Sequence, residues 1–116
     1  MTDLQTVTLN ECRNDASTVH LYFLDEAGMW LACGMSAFLL DRLAQVCGAG
    51  CITAYSESLM MPTAVVTPRG LQSVAASCSG GNEASGRVVL RSGLRIESKS
   101  YRAWARGLRE ATIDAP

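Results

Sequence analysis

Val19-His20-Leu21-Tyr22-Phe23-Leu24, Asp25-Glu26-Ala27-Gly28 and Met29-Trp30-Leu31-Ala32-Cys33-Gly34 follow one another in the chain, and their reading decides the fold. The first and third runs are rich in β-branched, aromatic and large apolar residues, as strands are. The polar run between them ends in glycine, which takes a left-handed turn position at no steric cost. Two strands around a loop of about four residues make a hairpin. Neither strand alternates cleanly between apolar and polar residues, so both of its faces are expected to be covered, and the hairpin to lie centrally.

Working outward, Ser36 to Cys47 reads as a helix. Ser36 is the expected N-cap. Ala37, Leu40, Leu43, Ala44 and Cys47 recur at helical spacing, with Leu39 and Val46 widening the stripe, while Asp41, Arg42 and Gln45 occupy the other side. Gly48 ends the helix. A helix this apolar must lie on a sheet, and the hairpin is the nearest one.

Downstream, Cys51 to Leu59 is a weak strand, and Thr63 to Val66 a short apolar one after Met60-Met61-Pro62. Thr67-Pro68 opens a second helix, because threonine caps and proline at the first helical position loses no hydrogen bond. Leu71, Val74, Ala75 and Cys78 form its buried stripe. The glycine-rich stretches 48–50 and 80–86 lack a phosphate-binding pattern and read as connectors. Arg87 to Glu97 alternates: Val88, Leu90, Leu94 and Ile96 share one parity, Arg87, Arg91 and Arg95 the other. A last helix follows from Ser98 or Ser100, with Tyr101, Trp104, Ala105 and Leu108 on one stripe and Arg102, Arg106 and Arg109 on another side. Upstream, Val7 and Leu9 suggest a short edge strand in an otherwise loose arm over residues 1–18, and residues 112–116 a frayed tail.

The chain resembles the N-terminal mismatch-recognition domain of MutS-type DNA repair proteins over roughly residues 19–78. The likeness rests on the order of elements around Gly28-Met29-Trp30-Leu31, Ala37, and Met61-Pro62-Thr63-Ala64-Val65 followed by Pro68-Arg69-Gly70-Leu71. The family's phenylalanine and the glutamate two residues later are Met29 and Leu31 here. The resemblance therefore implies an architecture and not base readout.

A single domain of 116 residues is expected, α/β or α+β, with about three helices on a mixed sheet of three to five strands. An apolar fraction of 48% is ordinary, and ten basic against eleven acidic residues leave a net charge of −1 that steers the whole chain toward neither nucleic acid nor membrane. The N-terminal Met-Thr-Asp-Leu-Gln has no basic or apolar run, and no stretch approaches the roughly 20 apolar residues a bilayer needs. A cytoplasmic, non-membrane protein with free thiols at its five cysteines is expected.

Catalytic chemistry is not indicated. The single histidine, His20, sits inside an apolar strand and reads as packed. Cys33, Cys47 and Cys78 lie on apolar stripes, and Cys47 with Cys51 lacks further ligands at metal-binding spacing. No cofactor or metal is expected. Two binding readings remain. The first is a small non-enzymatic adaptor acting through a protein partner or self-association, with Met29 and Trp30 at a hairpin tip as the docking point. The second is nucleic-acid binding. Seven of the ten basic residues fall between Arg87 and Arg109 against one acid, Glu97, so Arg87, Arg91, Arg95, Arg102, Arg106 and Arg109 are candidate phosphate contacts. Tyr101 and Trp104 read as a core stripe rather than a stacking platform.

Overall fold

A computed structural model of the chain describes Val7, Glu11 and residues 17–84, 86–94 and 97–114. The elements run β1 (Thr18–Leu24), β2 (Met29–Cys33), α1 (Met35–Cys47), β3 (Ile52–Ser56), β4 (Met61–Val66), α2 (Pro68–Ala76), β5 (Gly80–Ala84), β6 (Arg87–Arg91) and α3 (Ser98–Asp114). One six-stranded sheet has the order β3-β4-β2-β1-β6-β5. Every pairing in it is antiparallel. The fold is thus α+β, with more strands than the three to five expected and no parallel pair to make the sheet mixed.

The expected hairpin is the centre of the sheet. Leu21 faces Ala32 and Phe23 faces Trp30 across it, the last two with ring centroids 5.1 Å apart. One sheet face carries Val19, Leu21, Trp30, Ala32, Ala64, Val66, Val88 and Leu90. On these pack Ala37, Leu39, Leu40, Leu43 and Ala44 of α1 with Leu71 and Val74 of α2. On the other face Val7 is buried over Tyr22 and Cys33, with Leu31, Leu59 and Met61 around it. Covering on both sides is why β1 and β2 show no clean alternation.

Several boundaries differ from expectation. The residue preceding α1 is Gly34 at φ 59°, not Ser36, and Gly34 offers no side chain to the helix. Glu11 supplies the acceptor instead: its carboxylate receives the Ser36 amide at 3.0 Å and the Ser36 hydroxyl at 2.7 Å. The same hydroxyl oxygen accepts the His20 amide at 2.9 Å, tying β1 to the start of α1. A carboxylate at a helix N-terminus is favoured by the exposed amides and the dipole. Val7 and Glu11 both have helical backbone, so Val7 belongs to no edge strand; Leu9 lies outside the described residues. By contrast, Gly48 closes α1 at φ 73°, and Thr67 caps α2 through the Gly70 amide at 3.0 Å, as expected.

Residues 80–84, expected to be a connector, form β5, and Gly86 turns the chain into β6 at φ 71°. The alternating strand stops at Arg91 rather than running to Glu97. The Ser92 amide still donates to the Ser17 carbonyl, in register with β1, at 2.9 Å, and its hydroxyl donates to the same carbonyl at 2.8 Å. Gly93 follows at φ 72°. Arg95 and Ile96 lie outside the described residues. Finally, α3 runs from Ser98 to Asp114. No described helix is long and apolar enough to cross a membrane.

Candidate functional site

Alternation within β6 does what the sequence parity implies. Val88 and Leu90 are buried beneath the helices while Arg87 and Arg91 are exposed on the opposite face. Arg87 stacks on the Tyr22 ring at 5.6 Å. The helical arginines are elsewhere. Helix α3 packs on β3 and β4 from the helical side, with Tyr101 and Trp104 against Phe38 at centroid distances of 6.0 and 5.1 Å. This is the expected core stripe. Arg102, Arg106 and Arg109 are exposed on this helix, and Arg109 sits 5.8 Å from the Tyr55 ring of β3. From β3 to β6 is four interstrand steps, about 19 Å at about 4.8 Å each. The described candidate arginines therefore form two groups, Arg87 with Arg91 and Arg102 with Arg106 and Arg109, on opposite faces and toward opposite edges of the sheet, and not one continuous strip.

The hairpin residues are also separated by parity. Trp30 is 9% exposed and belongs to the core, while Met29 is half-buried on the other face. Leu31 is half-buried beside Tyr22 in the register.

Burial disfavours the charged forms of several thiols and of the histidine. Burial, with Glu11 nearby, pushes the Cys33 thiol up to about 12. Burial beside Asp41 pushes Cys51 up to about 11, and burial beside Cys47 raises Cys78. A raised pKa withholds the thiolate that nucleophilic or metal chemistry requires. Burial, then the charge of Arg87, lowers the His20 pKa, and its Nδ1 is buried with no hydrogen-bond partner among the described residues. Cys12 lies outside the described residues. Among the described residues no group of three or more histidine, cysteine or carboxylate side chains is placed to hold a metal.

Hollows on the helical side include two of note among the described residues. The larger, about 550 Å³, lies beside α1 and is lined by Phe38, Arg42, Gln45, Val46, Leu94, Glu97 and Ser100. Its wall is partly closed by Arg42, which lies 5.0 Å over the Phe38 ring. The second, about 380 Å³, runs between α2 and the β5–β6 hairpin. Leu71, Ala75, Val88 and Leu90 give it an apolar floor, and Gln72, Asn82 and Glu83 a polar rim.

The second groove is built by glycine. Gly81 pairs with Leu90 in the register, and a Cβ there would stand 2.8 Å from Leu90 Cδ2 and 3.3 Å from the Val89 carbonyl oxygen. The bare backbone lets Leu90 form the floor of the groove. Glycine inside a strand marks such close approach. On the opposite face of β5 the Arg91 side chain runs past Gly80, its Cδ 4.0 Å from the place a Cβ would take. β5 is the last strand of the sheet. Antiparallel pairing on one side leaves the backbone groups of alternate residues directed outward. An apolar groove therefore runs alongside a row of outward backbone donors and acceptors.

Sequence reasoning passed over this site because Gly80-Gly81-Asn82-Glu83-Ala84 carries no apolar alternation. The available signal was its position: a short segment, a turn glycine and an alternating strand make a hairpin. Comparison with protein-family models, with characterised proteins and with solved structures found no match to this chain.

Proposed function

We propose that this chain is a small non-enzymatic binding domain that takes a segment of a partner protein into the groove between α2 and β5. The observation that carries this reading is the conjunction of an apolar floor (Leu71, Ala75, Val88, Leu90) with an adjoining sheet edge that no described strand covers. A groove alone suits many ligands. A groove beside outward backbone groups suits a polypeptide, which brings both side chains and main-chain partners. Raised thiol pKa values and a histidine held neutral are consistent with binding rather than chemistry. The division of the arginines into two distant groups favours a protein partner over a polyanion, since phosphate binding gains from contiguous cations.

Panning a random-peptide display library against the full chain tests the reading. Binders are expected whose affinity drops about tenfold or more in Ala75→Arg, which puts a long charged side chain into the groove. Gln72→Arg, from the exposed rim, gives the same readout should the first variant melt early. An absence of binders, or binders indifferent to both substitutions, would remove the reading. Heparin retention that weakens steeply with salt and is lost on mutating Arg87 and Arg91 would favour the nucleic-acid alternative.

A further inference from the structure

The chemistry of the β5 edge narrows what the groove accepts. Positions of β5 alternate between its two faces, with Gly81 and Glu83 on the face of Leu90 and Val88 and Gly80 and Asn82 on the face of Arg91 and Val89, although the backbone of all four borders the groove. A strand paired to this edge meets a hollow opposite Gly81, where no side chain blocks the way to Leu90. Two residues along on the same side it meets Glu83, the one charged group lining the groove. On the reverse side it meets bare Gly80, whose cross-strand partner Arg91 brings its Cδ within 4.0 Å of the place a Cβ would take and is long enough to reach a carboxylate there. An aliphatic group, a cation and an anion are thus each asked for at one place.

Resting on the binding reading above, we infer that the occupant is an extended segment of another protein, added antiparallel to β5. It carries an aliphatic residue opposite Gly81, a lysine or arginine opposite Glu83 and a carboxylate opposite Gly80. Read from its N-terminus, such a segment is basic, polar, aliphatic, acidic. The antiparallel sense continues the pairing used throughout the sheet. A second copy of this chain is a poorer occupant. Two β5 strands paired about Asn82 would bring both Glu83 carboxylates onto one face at a diagonal spacing of about 7–8 Å, and would set a glutamate, not an aliphatic side chain, opposite each Gly81.

Fluorescence anisotropy with the full chain and a labelled synthetic peptide centred on lysine-threonine-valine-glutamate tests this. Saturable binding is expected, abolished by N-methylation of the peptide amides that face β5 and retained when the outward amides are methylated. Replacing the peptide lysine by glutamate should weaken binding about fivefold, the scale of an exposed ion pair turned into a like-charge contact. Glu83→Lys should restore it for the glutamate peptide and weaken it for the original. Display-selected peptides that bind in the groove while this peptide does not, or that ignore the charge exchange, would overturn the inference and leave the binding reading standing. A chain that selects no groove-dependent peptide loses both. A doubling of mass in light scattering that Glu83→Lys abolishes would assign the edge to a second copy and overturn the inference.

Discussion

The two edges of the sheet make an instructive pair. Strands β3 and β5 each have a single neighbour, β4 and β6 respectively. β3 is Ile-Thr-Ala-Tyr-Ser, a sequence suited to strands, and β5 is Gly-Gly-Asn-Glu-Ala, a sequence poor in strand formers. Yet β3 has its helical side occupied. Helix α3 lies on it, anchored by Tyr101 and Trp104 on Phe38, with Arg109 over Tyr55. The helical side of β5 faces an open groove of about 380 Å³. What separates the two edges is therefore the space beside the strand and not its own strand propensity. Small residues are what leave that space.

The largest expected effect follows from removing the anchor at the β3 edge. Phe38 is 1% exposed, and Phe38→Ala should cost about 3–5 kcal/mol in denaturant unfolding. Its signature is local: amide exchange in β3 and α3 should rise more than in β5. Equal loosening of both edges would mean that α3 is not what distinguishes them.

At the other edge, filling the space should be felt unequally at adjacent glycines. Gly81→Val drives a side chain into Leu90 and should cost about 1–3 kcal/mol as overpacking. Gly80→Ala meets only Arg91 Cδ, at 4.0 Å, and should stay within about 0.5 kcal/mol. Matched thermal and denaturant melts of the two variants give the comparison. Similar losses at both positions would contradict the role assigned to Gly81.

The smallest effect concerns pH and lies at the centre of the sheet. His20 is the only histidine, and its folded pKa lies below the ordinary 6.5. The unfolded chain therefore binds its proton more readily than the folded one. The stability this contributes is present above about pH 6.5 and is lost as pH falls through the folded value. Between pH 7.5 and 5.5 the melting temperature should fall, and by less in His20→Gln. An identical slope in the variant would show that the buried imidazole has no part in it.

How much of this was legible follows from where the information sits. The Val19–Leu24 and Met29–Cys33 hairpin, the α1 stripe, Gly48 and the Thr67-Pro68 cap are local patterns, and the structure follows them. The α1 cap was not legible, because Glu11 reaches Ser36 across 25 residues of sequence. Nor was the end of β6, where the Ser92 hydroxyl donates to a carbonyl 75 residues away. Parity correctly sent Arg87 and Arg91 outward, but parity along a strand says nothing about which helix lies over which edge. The separation of Arg102, Arg106 and Arg109 from them is a property of topology. The groove was hidden for a related reason. Its floor residues were each recognised as buried, but the space beside them exists only because a glycine-rich strand lies next to α2.

Residue-resolved amide exchange of the full chain, with and without a groove-binding peptide, addresses the central claim most directly. Strand addition at β5 predicts that protection rises at alternate residues between Gly80 and Ala84 while β3 is unchanged. Protection that leaves β5 unaltered, or that appears along Ile52–Ser56 instead, would contradict it.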